Sequence, residues 1–248
     1  MTLPDTPDAF LDGRVLIQQS VTGFRAGLDS VLLAAAVAAS SGQSVLELGA
    51  GVGTVSLCLA ARVAGLRIDG VEIDPALVAL AAANAAANGF AENARFTAAD
   101  VFDLPPALRS GFDQVFCNPP FYGSDGMVSP EPGRALARHD GGRLADWLAA
   151  GVKRTRSGGR FTTIFPADRL KDALAGLPGG GVTVFPLWPK TDIPAKRVIV
   201  QVRIGAKSPL KLQPGLVLHG ADGHFTPAVE AILRGRGGLT LVPEGLGH

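Results

Sequence analysis

At 248 residues the chain has room for one large domain, or one domain with a small appendage, and much of its 47% hydrophobic content is alanine, which weights the apolar count toward helices. Only two cysteines occur, Cys58 and Cys117, far apart and each in an apolar run, which excludes a disulfide framework and suits a reducing cytoplasm; an N-terminus bearing Asp5 and Asp8 lacks the basic region of a signal peptide, and the longest apolar run, Val31–Ala39, is too short to span a bilayer. The net charge of +1 hides an asymmetry: residues 1–110 hold 6 Lys/Arg against 11 Asp/Glu and residues 111–248 hold 17 against 11, so the back half is expected to meet an anionic partner.

In chain order, residues 1–12 are rich in Pro and Asp and read as loose, and residues 13–20 read as a short strand. The segment Phe24-Arg25-Ala26-Gly27-Leu28-Asp29-Ser30 then opens a helix over residues 31–39, with Asp29 or Ser30 as its cap. Arg25 and Asp29 sit in a glycine-bearing loop where charged groups can meet a zwitterion.

Residues 44–48 form a short apolar strand with one acid, Glu47, inside it. Gly49, Gly51 and Gly53 follow, and then a helical run over residues 55–64. A strand, a glycine turn and a helix start bring a ligand close to bare backbone. The spacing is G-x-G-x-G, not the G-x-G-x-x-G of dinucleotide binders, and a carboxylate at Glu47 would repel a pyrophosphate but attract an ammonium group.

A second strand over residues 66–72 ends at Glu72, placed to hold both hydroxyls of a ribose. Asp74 and Pro75 read as the cap and first residue of an Ala-rich helix that Gly89 terminates, so Glu72 is the better ribose ligand. Residues 94–98 form a third strand leading to Asp100, which can accept from an adenine amino group. Residues 112–117 form a fourth strand, stopped at once by Asn118-Pro119-Pro120-Phe121-Tyr122. Two prolines fix two φ angles and remove two donors, leaving a stiff corner that offers an amide and carbonyls to a planar amine. Glu47, Glu72, Asp100 and Asn118 thus fall at four successive strand ends, which share one crevice in an open parallel sheet.

Beyond the corner, residues 123–142 form a long polar stretch with Arg134, Arg138 and His139. A helix follows over residues 144–155, then a strand over 161–165, a short helix over 167–175, a strand over 182–187 and an alternating strand over 197–204 that runs antiparallel to its neighbour. Lys190, Lys196 and Arg197 between the last two strands, with Arg134 and Arg138, are candidate phosphate contacts. The tail reads as a hairpin and a short helix over 227–234.

Taken together, these stretches resemble the class I S-adenosylmethionine-dependent methyltransferases of the Asn-Pro-Pro-aromatic group. Within that group the chain is similar to the bacterial tRNA(Val) N6-adenine methyltransferase family, on residues 24–33, 46–53, 70–75, 118–121 and the tail Asp222-Gly223-His224-Phe225-Thr226-Pro227. The group also contains guanine-N2 RNA and glutamine-N5 protein methyltransferases. The resemblance implies one Rossmann-like α/β methyltransferase domain over 1–248, with an N-terminal segment (1–43), a core (44–204) and a C-terminal extension (205–248). It implies a seven-stranded sheet in the order 3-2-1-4-5-7-6 with helices on both faces. It implies S-adenosylmethionine as cofactor, bound by Arg25, Asp29, Glu47, Gly49, Gly51, Gly53, Glu72, Ile73, Asp100, Val101 and Asn118. Catalysis would rest on Asn118, Pro119 and Pro120, with Phe121 or Tyr122 stacked on the base; no metal and no strong general base is needed. The implied partner is RNA, tRNA first of all.

Overall fold

The computed structural model describes residues 6–21, 25–120 and 144–241. Its centre is a nine-stranded sheet. In chain order the strands are β3 (Ser44–Leu48), β4 (Arg67–Glu72), β5 (Ala94–Ala98), β6 (Phe112–Cys117), β7 (Thr155–Pro166), β8 (Val182–Trp188) and β9 (Arg197–Arg203), with two short ones, β10 (Lys211–Leu212) and β11 (Leu216–Val217). Across the sheet the path runs β10-β8-β9-β7-β6-β3-β4-β5, and β11 also pairs with β8. The strands from β5 across to β7 are parallel, and β9 runs antiparallel to both its neighbours.

Nine strands replace the seven expected. The added pair comes from the tail: β10 and β11 do not form a hairpin with each other, but each lies parallel on β8. Two residues apiece are too short to be read from alternation; the free edge of β8 creates them. The N-terminal expectation also changes. Residues 8–10 are not loose but form β1 (Asp8–Phe10), paired antiparallel with β2 (Val15–Ile17) around a turn in which Leu11, Asp12 and Gly13 all have positive φ.

Alternate residues of each core strand serve opposite faces, as a sheet covered on both sides requires. Val45 and Phe116 join one apolar cluster, while Leu46, Leu48, Val115 and Cys117 join the other. The first cluster includes residues of α1 (Leu28–Ala36), α2 (Thr54–Arg62), α3 (Pro75–Ala87) and the terminal helix α6 (Pro227–Leu233). The second is built with α4 (Leu144–Arg154) and α5 (Leu170–Ala175). Among the described residues no helix is long and apolar enough to cross a membrane.

The helix starts differ in how they are capped. Asp74 accepts from the Ala76 N–H at 2.8 Å and Pro75 occupies the first turn of α3, as the sequence indicates. α1 differs: it begins at Leu28 with Gly27 as its uncapped N-cap, so neither Asp29 nor Ser30 caps it. Asp29 lies in its first turn and pairs with Arg197, 2.9 Å away.

Candidate active site

The parallel register decides which strand ends meet. Leu48, the last residue of β3, is the partner of both Val71 on β4 and Cys117 on β6, and Glu72 is the partner of Ala98 on β5. Adjacent strands run about 4.8 Å apart. The glycine turn after Leu48 and the Asn118 corner after Cys117 therefore leave neighbouring strands at the same level, with Glu72 and Asp100 on the far side of the turn. The four strand ends named by the sequence share one edge of the sheet.

The turn itself is tight. The Gly49 and Ala50 N–H groups both donate to the Val71 carbonyl at 2.8 Å, and Gly53 N–H donates to the Ala50 carbonyl at 2.8 Å, immediately before α2. Gly49 has φ +73°, and a Cβ there would stand 3.0 Å from Cη2 of Trp147. Gly51 also has positive φ, but a Cβ there would meet nothing within 4 Å. Gly53, with φ +86°, is more crowded still, a Cβ there standing 2.8 Å from the Phe96 ring, so two glycines are closely packed while Gly51 faces open space.

Glu72 ties the second strand end to this turn. One carboxylate oxygen accepts from the Gly51 N–H at 2.9 Å; the other accepts from the Ile73 N–H at 2.8 Å and the Asp74 N–H at 3.1 Å. Its neighbour Ile73 is a large apolar side chain left 51% exposed. The third strand end is joined on by the Ala99 N–H, which donates to the Glu72 carbonyl at 3.0 Å. Asp100 is exposed and one of its oxygens accepts from the Phe102 N–H at 2.9 Å, while Val101 is buried.

Glu47 lies inside β3, as its place in the apolar run indicates. It is only 2% exposed and its carboxylate accepts from both the backbone N–H and the hydroxyl of Ser56 in the first turn of α2. Burial, with a smaller contribution from the nearby Glu72 charge, pushes its pKa up to about 8 against the pull of Ser56. In this arrangement Glu47 anchors α2 behind the glycine turn.

At the corner, Asn118 and Pro120 are half-buried and Pro119 is buried. Among the described residues nothing hydrogen-bonds the Asn118 side chain. Cys117, just before it, contacts the Thr163 hydroxyl at 3.4 Å, and burial pushes its thiol up to about 12, so it is inert. Phe121, Tyr122, Arg134, Arg138 and His139 lie outside the described residues.

The charged pair of the N-terminal segment is already occupied. The Arg25 guanidinium pairs with Asp8 and donates to the Ser20 carbonyl at 3.0 Å, and Gln19 bridges Asp8 to the Ala26 backbone. Arg197, a candidate phosphate contact, is held by Asp29. Lys190 is exposed and Lys196 sits near it on the same connection.

Several contributors had no signal in the sequence. Asn84 on α3 and Asn88 at its C-cap, one turn apart, present their amides to the β2 strand and its continuation: Asn84 receives the Gln18 N–H at 2.9 Å and donates to its carbonyl at 3.0 Å, and Asn88 does the same for Leu16 at 2.8 and 2.7 Å. Asn84 also donates to the Val52 carbonyl in the glycine turn at 3.0 Å. Two polar residues at i, i+4 in an Ala-rich helix are the one trace of this in the chain.

A family model described as the methyltransferase small domain matches residues 25–134. The tRNA1(Val) (adenine(37)-N6)-methyltransferase of Porphyromonas gingivalis is 32% identical over 236 residues, covering 89% of this chain and 91% of that protein. The protein of the same name from Dickeya chrysanthemi is 29% identical, over 85% and 86% of the two chains. Among solved structures, a predicted O-methyltransferase from Agrobacterium tumefaciens superimposes with a TM-score of 0.72 over 86% of this chain and 98% of its own, at 23% identity. That likeness establishes the class I methyltransferase fold.

Proposed function

This chain belongs to the tRNA1(Val) (adenine(37)-N6)-methyltransferase family, and from that premise we propose that it transfers a methyl group from S-adenosylmethionine to the N6 amino group of an adenine in a tRNA anticodon loop. The observation that carries the reading is the register pairing of Leu48 with Cys117, which sets the glycine turn and the Asn118 corner side by side.

The residues at this edge fit an adenosyl group. The open space at Gly51 admits a ligand against bare backbone, Ile73 offers an exposed apolar ledge for a planar base, and Glu72 and Asp100 bring carboxylates to the same rim. Glu72 would take the ribose hydroxyls, Asp100 the adenine amino group, and Gly49, Gly51 and Gly53 would let the chain approach. When bound, S-adenosylmethionine supplies an electrophilic methyl on a sulfonium.

The protein's task is to make a poor nucleophile attack. An adenine NH2 has its lone pair delocalised into the ring. The Asn118 side-chain oxygen and the Pro119 carbonyl would each accept one of its hydrogens, holding the nitrogen tetrahedral so that its lone pair is localised and aimed at the methyl; the nitrogen, cationic after transfer, would then lose a proton. Fixed acceptors of this kind can be worth about 3 kcal/mol each in a preorganised site. The prolines hold them still, so nothing need reorganise during transfer. Orientation of the two reactants supplies much of the remaining rate. The base must leave its stack to arrive, which is least costly in a loop.

The test is incubation with methyl-labelled S-adenosylmethionine and separate tRNA, rRNA and protein fractions, followed by nucleoside analysis. Label in tRNA recovered as N6-methyladenosine is the expected result; label in N2-methylguanosine or in protein alone would overturn the assignment.

A further inference from the structure

Helix α4 packs into the same apolar cluster as Leu48, Val71 and Cys117, the residues at three of the strand ends. Trp147 and Arg154 are seven residues apart, which is two helical turns and therefore one face. Trp147 is 7% exposed. Its Cη2 and Cζ3 atoms stand 3.0 and 3.2 Å from where a Gly49 Cβ would be, and its ring meets Phe102 edge to face with centroids 5.9 Å apart. Arg154 is 6% exposed and donates to the Val101 carbonyl at 3.0 Å and to the Ala150 carbonyl at 3.2 Å. One helix face thus touches the glycine turn after β3 and, through two separate residues, the 101–102 segment that follows Asp100.

Neither residue is a simple filler. A buried guanidinium is expensive to desolvate, and burial pulls the Arg154 pKa down; its Nε has no partner among the described residues. The Trp147 indole N–H is likewise buried without a partner among them. Phenylalanine and methionine would bury no orphaned donor, but they would not reach the same partners. What tryptophan and arginine add is reach, each spanning from the helix to a loop of the cleft.

We propose that Trp147 and Arg154 are positioning residues that fix the spacing between the glycine turn and the Asp100 loop, and so set the affinity for the adenosyl cofactor. The proposal rests on the reading of this edge as the cofactor site. Both are buried and act through the Gly49 turn and the 101–102 segment rather than on the ligand. Their replacement should raise the KM for S-adenosylmethionine while sparing kcat at saturation and the KM for tRNA.

The experiment uses the full chain in three variants. Trp147→Phe keeps an aromatic edge for Phe102 but withdraws the atoms beneath Gly49. Arg154→Met removes the donor to Val101 at similar volume. Each should weaken binding of S-adenosylhomocysteine by about tenfold, the effect expected from removing one buried interaction, with kcat within about twofold. Trp188→Phe leaves Trp147 as the sole tryptophan, so its emission should shift when S-adenosylhomocysteine saturates the protein. Unchanged affinity in both Trp147→Phe and Arg154→Met, or emission that ignores saturating ligand, would overturn the proposal. Should Trp147→Phe fail to fold, Arg154→Met and the emission measurement still decide it. Failure of the wild-type protein to bind S-adenosylhomocysteine would instead overturn the cofactor site itself.

Discussion

The Glu72 carboxylate accepts a hydrogen bond from the Gly51 N–H at 2.9 Å, so the acid ending β4 holds the turn that follows β3. A residue named by sequence for its ligand is also a structural tie between two strand ends. Three backbone N–H groups converge on it.

That dual role shapes the outcome of Glu72→Ala. Three donors are deprived of a charged acceptor, but the site is half-exposed and water can replace part of it. A stability loss of about 1–2 kcal/mol is expected. Cofactor affinity should fall by more than about tenfold, since the ribose ligand and the turn geometry go together. Glu72→Gln keeps an acceptor for Gly51 but turns an NH2 toward the Ile73 and Asp74 N–H groups, so it should recover only part of the stability and little of the affinity. Thermal melts and calorimetric titration with S-adenosylhomocysteine separate the two effects.

Asn118→Ala should behave in the opposite way. No described residue hydrogen-bonds that side chain, so the melting temperature should barely move, and cofactor affinity should stay near that of the wild type. Removal of one preorganised acceptor should lower kcat by about 100- to 1,000-fold. Single-turnover methyl transfer to tRNA measures this directly, and a kcat near wild type would remove the amide from the mechanism.

Asn84→Ala should cost more stability than its place on a helix suggests. It removes hydrogen bonds to the Gln18 N–H and carbonyl and to the Val52 carbonyl. About 2–3 kcal/mol is expected for three part-buried hydrogen bonds. Because Val52 belongs to the glycine turn, the cofactor titration should weaken too. Urea melts with and without S-adenosylhomocysteine give both values.

What could be read from the chain follows from how local each cause is. β3 to β6 and α3 are written in adjacent residues: apolar runs of strand length, an Asp-Pro cap, a terminating Gly89. The strand-end edge is legible for the same reason, since each polar group sits on or just past the end of its own strand. The features missed are those whose cause lies far along the chain. Arg25 and Asp29 pair with Asp8 and Arg197, partners that no local pattern announces. β1 pairs with β2, itself held by Asn84 and Asn88 from α3 and its C-cap, and β10 and β11 arise because β8 leaves its own edge free. Trp147 and Arg154 look like ordinary residues of an amphipathic helix, with nothing nearby to mark Gly49 and Val101 as their targets.

Glu47 gives the sharpest pH prediction. Burial holds its folded-state pKa at about 8, against an ordinary value of 4.5. A carboxyl whose pKa is raised by folding binds its proton more tightly in the native state. Its favourable contribution is complete below pH 4.5, fades as pH rises toward about 8, and is gone above that. Wild-type stability should therefore decline across this window, by on the order of a few kcal/mol from this group. Glu47→Gln keeps an acceptor for Ser56 and cannot ionise, so the difference between variant and wild type should grow in the variant's favour from about pH 5 to about pH 8.5. Paired chemical melts at several pH values test this; a constant difference would mean that the buried carboxyl does not titrate in that range. The same proton bears on the ligand: a cationic ammonium near Glu47 would favour its ionised form, so S-adenosylhomocysteine binding at about pH 7 should release a fraction of a proton that Glu47→Gln does not, measurable as a buffer-dependent binding enthalpy.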